Sequence, residues 1–253
     1  KAMKHIRMDQ KINFEQGGST LDVPYVWKRY GMVPEEAYSG LNYGDRKHNH
    51  YELIAGLKGY LNGIARMPNR QLSTAWFNGF KGILDAYFGE LPETFSYKGK
   101  EYTPESYAAS LGINIDDYIP FTSFTHHPFN EKFALEVADN WLWGEYYNVK
   151  MEEMKQIVDN AIANGYSVAW AADVSEGGWQ WKNGFAVLPV EKGETLEGTE
   201  LARWTKLSDK DREKETNKIT GPVKEIQVTQ EMRQEWFDAH KTTDDHGMVI
   251  VGS

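Results

Sequence analysis

With 253 residues, the chain suits one large domain or two small ones, and 37 acidic against 28 basic side chains leave a net charge of −9 that repels nucleic acid phosphate. Hydrophobic residues at 40% and aromatics at 13% exclude a disordered chain, and no apolar run approaches the roughly 20 residues that span a bilayer, so neither nucleic acid nor membrane is an expected partner. There is no cysteine, which excludes disulfides, thiolate zinc sites and iron–sulfur clusters.

In chain order, Ile12–Gly18 is a turn-rich approach ending in Gln16-Gly17-Gly18. A short helix is predicted over Leu21–Tyr30, with Gly31 as its C-terminal cap and Val33-Pro34 resuming an extended path. Two longer helices follow. His50–Ala65 carries Leu53, Ile54, Leu57, Tyr60, Leu61 and Ile64 on one stripe, and Gln71–Tyr87 carries Trp76, Phe77, Phe80, Ile83, Leu84 and Tyr87. Met67-Pro68-Asn69 separates them, which predicts an antiparallel pair. Thr103-Pro104 starts a third helix that stops near Gly112.

Residues 113–150 are rich in aromatic and turn residues and show few periodic signals. The clearest helix follows, with Met151, Met154, Ile157, Val158, Ala161 and Ile162 at helical spacing and Asn164-Gly165 as its stop. Tyr166–Val174 reads as a buried strand. Residues 191–221 are polar and charged, and are expected to form a solvated insertion or mobile loop. Thr229–His240 is a capped amphipathic helix carrying Met232, Trp236 and Phe237. Helices come first and strands later, which predicts an α+β fold rather than alternating β-α-β units.

The most informative stretch is Asp244-Asp245-His246-Gly247-Met248-Val249-Ile250-Val251. A histidine followed at once by glycine and then by four apolar residues places an imidazole at the mouth of a strand, which is expected to be buried. Three segments in this order resemble the papain superfamily, and in detail its bleomycin hydrolase/aminopeptidase C branch. They are Gln16-Gly17-Gly18 with the following helix and Tyr30-Gly31-Met32-Val33-Pro34, then the strand Tyr166–Val174 after Asn164-Gly165, and then Asp245-His246-Gly247-Met248.

The resemblance implies a papain-like cysteine peptidase fold. Residues 1–150 would be a helical part with the Gly-Gly pair and a family-type helical insertion at 50–87, and residues 151–253 a β-rich part carrying the histidine. It also implies peptide-bond hydrolysis through a thioester acyl-enzyme, with His246 as general base and then acid. Gly17, Gly18 and Gly247 would line the path of a peptide substrate, because a missing side chain lets another backbone approach closely. The family uses no cofactor and forms homohexamers. Its nucleophilic cysteine and the asparagine that orients the imidazole have no match in these residues. They are expected outside them, on an upstream segment or a cysteine-bearing partner chain, and this chain alone is expected to be inert. A thiolate needs an adjacent imidazolium to lower its pKa, and a third group to fix the imidazole tautomer. The N-terminus has no signal-type apolar core, and both ends read as cut. The family implies a cytoplasmic location, with export left open by that N-terminus.

Two other readings stand beside this one: a papain-fold interaction domain without catalysis, and an aromatic-rich module whose tryptophans Trp141, Trp143, Trp179 and Trp181 bind glycans. His48-Asn49-His50 and His126-His127 each put their histidines too close together for a convergent metal site, and read as a helix entry and an ordered loop. The carboxylates Asp173 and Glu152-Glu153 lack a fixed separation that would mark a glycosidase.

Overall fold

The computed structural model of the chain describes residues 21–38, 40, 49–68, 71–137, 140, 142–175, 177–190, 192–216, 219, 221, 223–242 and 246–252. Gln16-Gly17-Gly18, His48 and Asp244-Asp245 lie outside the described residues. The chain divides into two compact units, residues 1–121 with 132–147 and residues 122–131 with 148–253.

In the first unit, helix α1 (Asp22–Tyr30) ends at Gly31, whose N–H donates to the Trp27 carbonyl. Glycine is required there twice over. Its φ is +67°, and a Cβ would stand 2.3 Å from the Pro104 carbonyl carbon. Helices α2 (Tyr51–Ala65) and α3 (Ala75–Phe88) form the expected antiparallel pair. The Tyr60 hydroxyl late in α2 donates to the Trp76 carbonyl early in α3, whereas Glu52 early in α2 accepts from Tyr87 late in α3. Leu53 and Leu57, one turn apart, are the buried residues of α2.

A hairpin follows, of β1 (Phe95–Tyr97) and β2 (Lys100–Tyr102), turning through Lys98 and Gly99, both at positive φ. Two such residues match the right-handed strand twist, which is why short hairpins favour them. Helix α4 (Pro104–Ser110) is capped reciprocally by Thr103 and Ser106. Its Tyr107 meets Phe95, Tyr97 and Tyr102 edge-on. Residues 113–150, featureless to periodicity, hold three short strands: β3 (Phe121–Thr122), β4 (Glu131–Ala134) and β5 (Glu145–Asn148), in sheet order β3-β5-β4. Strands of two to four residues are too short to display an alternation.

The second unit contains helix α5 (Met151–Ala163), strand β6 (Val168–Ala172) and the two-residue strands β7 (Trp179–Gln180) and β8 (Phe185–Ala186). The solvated loop expected over 191–221 is corrected by the structure, which holds helices α6 (Gly198–Trp204) and α7 (Asp209–Thr216). Trp204 is buried against Gly193, where a Cβ would lie 2.9 Å from the indole nitrogen. Helix α7 has no apolar stripe, so periodicity misses it. It is started instead by Ser208, whose hydroxyl accepts from the Asp211 N–H and donates to the Asp211 carboxylate. The Arg212 guanidinium donates to the Trp204 and Thr205 carbonyls and ties the two helices together. Helix α8 (Gln230–Asp238) and strand β9 (His246–Ile250) complete the unit.

Candidate active site

Strand β9 pairs antiparallel with β6, in the register His246↔Ala172, Gly247↔Ala171, Met248↔Trp170, Val249↔Ala169 and Ile250↔Val168. Side chains alternate along a strand and directly opposed residues share a face. One face therefore carries His246, Ala172, Met248 and Trp170. The other carries Gly247, Ala171, Val249 and Ala169. The sequence favours this local structure because β-branched Val249 and Ile250 suit the extended backbone, and Asn164-Gly165 closes α5 just before β6 begins.

Both strands fall where the sequence places them, but neither is buried as expected. Val249 is 59% exposed, Trp170 is 40% exposed, and Val251 just beyond β9 is 82% exposed. The reason is topological. Among the described residues, β6 and β9 form a two-stranded ribbon, which cannot cover both of its own faces.

His246 opens β9 and is exposed, and the residue opposite it contributes only a methyl group. Beyond Ala172, the Asp173 carboxylate accepts hydrogen bonds from the Ser175 N–H and hydroxyl, a local turn just past the strand. At Gly247 a Cβ would meet nothing within 4 Å. Neither packing nor a left-handed backbone demands glycine there among the described residues. The structure thus sets His246 and Gly247 side by side at the ribbon's end, while Gly17 and Gly18 lie outside the described residues.

Several of the other sequence candidates have structural partners; Trp181 is exposed and Trp141 lies outside the described residues. Glu153 accepts from the Lys150 N–H and caps α5. His50 meets Phe88 edge-on. Trp143 is exposed and Trp179 lies against Trp170. Among the described residues no group of three or more histidine, aspartate or glutamate side chains could hold a metal ion.

Sequence reasoning missed a buried polar cluster in the second unit. Asn148 is fully buried. Its two amide hydrogens serve three carbonyls, those of Phe124, His127 and Pro128, at 2.8–3.0 Å, and its oxygen accepts from the Phe124 N–H at 2.9 Å. The buried residue of α8 is Gln234 rather than an apolar one. Its oxygen accepts from the Thr125 N–H at 2.7 Å and the His126 N–H at 3.2 Å, and lies 3.1 Å from His126 Nδ1. Gln230 accepts from the Ser123 hydroxyl and the Met151 N–H, and Arg233 donates to the Ser123 carbonyl. Long-range amide contacts of this kind leave no periodic trace. The available signal was local: Ser, Thr, Asn and Pro crowded around two histidines mark a turn whose backbone groups need partners.

The fold and the ribbon define an α+β protein with an exposed histidine at a strand mouth. No protein-family model matches the chain. It is similar to aminopeptidase C of Lactobacillus delbrueckii subsp. lactis, with 23% identity over 202 residues that cover 67% of this chain and 45% of that protein. Its fold is similar to that of PepW from Lactobacillus rhamnosis, with a TM-score of 0.58 and 19% identity, over 94% of this chain and 53% of that one. The chain therefore spans about half the length of these proteins. The sequence likeness and the fold agree with the motifs that resemble the bleomycin hydrolase/aminopeptidase C family.

Proposed function

We propose that this chain is the histidine-bearing portion of a cysteine-type aminopeptidase, with His246 as its acid–base group and a nucleophilic cysteine supplied from outside these 253 residues. The observation that carries the proposal is the placement of His246, an exposed imidazole on the first residue of β9 with a methyl opposite and a glycine next to it. An imidazole so placed can meet a thiol, take its proton and hold the thiolate as an ion pair. The thiolate attacks the scissile carbonyl, the imidazolium protonates the departing amine, and the neutral imidazole then activates the water that opens the thioester.

The opposite face of the ribbon carries a strip of small residues, Gly247, Ala171 and Ala169, beside the larger, exposed Val249. This strip and the pair Gly17-Gly18 would let an extended peptide approach the backbone closely. A chain with the base and no thiol has no turnover of its own, so the working enzyme includes a cysteine-bearing segment or partner. Homo-oligomer formation, a property of the family, is proposed on the same footing.

In the complete, active protein, His246→Ala abolishes peptide hydrolysis and leaves the circular dichroism and the unfolding midpoint unchanged. Unchanged turnover in that variant would remove His246 from the reaction.

A further inference from the structure

Arg233 lies outside the proposed reaction, and no carboxylate among the described residues bonds to it. It is the fourth residue of α8, part-buried, and its Nε donates to the Ser123 carbonyl at 2.8 Å. The guanidinium carbon stands 4.7 Å over the Phe124 ring, which packs on Phe237 with ring centres 4.4 Å apart. The anchor is firm. Ser123 is fully buried, and its hydroxyl donates to Gln230, whose oxygen also takes the Met151 N–H. A guanidinium carries five N–H donors in one plane. Nε uses one of them. The four on the terminal nitrogens bond to no described residue, and neither nitrogen is sealed from solvent.

A cation held in this way calls for a counter-charge. The positions that share its face of α8, three and four residues away, are Thr229, Gln230, Trp236 and Phe237, and none is acidic. Ser123 and Phe124, its contacts from the turn, bring no carboxylate either. The first turn of α8 is the positive end of the helix dipole, where a cation is disfavoured and an anion is stabilised. Burial draws the guanidinium below the usual arginine pKa, yet the group stays charged at neutral pH. A chain with 37 acidic residues thus sets none of the described ones against this charge.

We infer that the terminal fork of Arg233 is a binding site for a single carboxylate group. With Nε committed to Ser123, the pair Nη1 and Nη2 remains, and its parallel N–H bonds match the two oxygens of a carboxylate. Ser123 and the Phe124 ring hold the fork before the ligand arrives, so little side-chain freedom is lost on binding. One positive charge balances one carboxylate. A phosphate dianion would bring charge in excess, and Ser123, Phe124, Gln230, Trp236 and Phe237 add no second cation. The carboxylate comes either from a free acid or peptide, or from an acidic side chain of polypeptide outside these 253 residues. His246 plays no part in this site, and the two assignments fail independently.

Titration of the full chain with sodium acetate at neutral pH, against sodium chloride at equal ionic strength, tests the site through the side-chain nitrogen signals of Arg233. Acetate shifts the Nη signals, saturates at about 10 mM as one bidentate ion pair should, and raises the thermal midpoint, whereas chloride does none of this. Arg233→Lys keeps the charge and loses the fork, so the acetate-specific rise in midpoint disappears. A response that never saturates, that chloride reproduces, or that survives in Arg233→Lys overturns the site. Tighter binding of inorganic phosphate than of acetate overturns the choice of a carboxylate. Should the variant not fold, the wild-type signals decide alone. In the complete natural protein, an unchanged acetate response identifies a free carboxylate as the ligand. Signals already at the acetate-bound position identify an acidic side chain outside these residues, and acetate-insensitive signals at the free position overturn the site.

Discussion

The second unit holds two regions built on opposite principles. Around Asn148 and Gln234 a loop of irregular backbone is pinned by buried amide side chains, each serving several main-chain groups. The β6–β9 ribbon is regular in its backbone pairing but leaves large apolar side chains exposed, and it carries the histidine. The contrast shows where specificity of fold resides in this molecule. Irregular backbone must be told by side chains where its polar groups go, because an unpaired buried N–H or C=O costs as much as a lost hydrogen bond. A ribbon satisfies its own ladder, and is free to present an imidazole to a reacting partner.

Substitutions can sharpen or break this contrast. The largest expected effect on stability is that of Asn148→Ala. It orphans several buried backbone groups at once, each costing about 1–3 kcal/mol, so the unfolding free energy should drop by about 4 kcal/mol in urea titration. A loss under about 1 kcal/mol would mean that water replaces the amide. Gln234→Met keeps the volume and removes the acceptor, and should cost about 2–3 kcal/mol, read as a fall in the thermal midpoint. The acid arm of stability comes next. Because burial holds the folded pKa of His126 below its unfolded value, the folded state binds fewer protons than the unfolded one. Stability is full above pH about 6.5 and falls as the pH drops below that value toward the folded pKa, and His126→Asn should flatten this arm. At the small end, Val249→Thr on the exposed side of the ribbon should change the stability of this chain by no more than about 0.5 kcal/mol. A large loss there would show that the ribbon face is covered in solution.

How much was legible in the sequence follows the same division. The helices of 51–65, 75–88 and 151–163 and the cap at Thr229 were readable, because their signals are local: an apolar stripe, a Gly stop, a hydroxyl that accepts from a first-turn N–H. The strands on either side of the ribbon were readable as strands, whereas their burial was not, since apolar content says nothing of how many sheet neighbours a strand finds. Helix α7 was missed because it is polar all round, although Ser208 three residues before Asp211 is a capping signal in plain view. Of the candidate site, the His246-Gly247 pair could be read directly because glycine and the apolar run sit beside the histidine in sequence. The amide cluster could not, since Gln234 meets Thr125 and His126 across more than a hundred residues of chain.

The central claim is that His246 serves a thiol carried outside these residues. Denaturing intact mass of the natural protein, after treatment with an epoxysuccinyl inhibitor of papain-type peptidases, tests it most directly. The account predicts an inhibitor adduct on a longer polypeptide that contains this sequence, or on a separate chain that copurifies with it. A mass of 29.0 kDa with neither adduct nor partner would contradict it, and would make this fold something other than a peptidase.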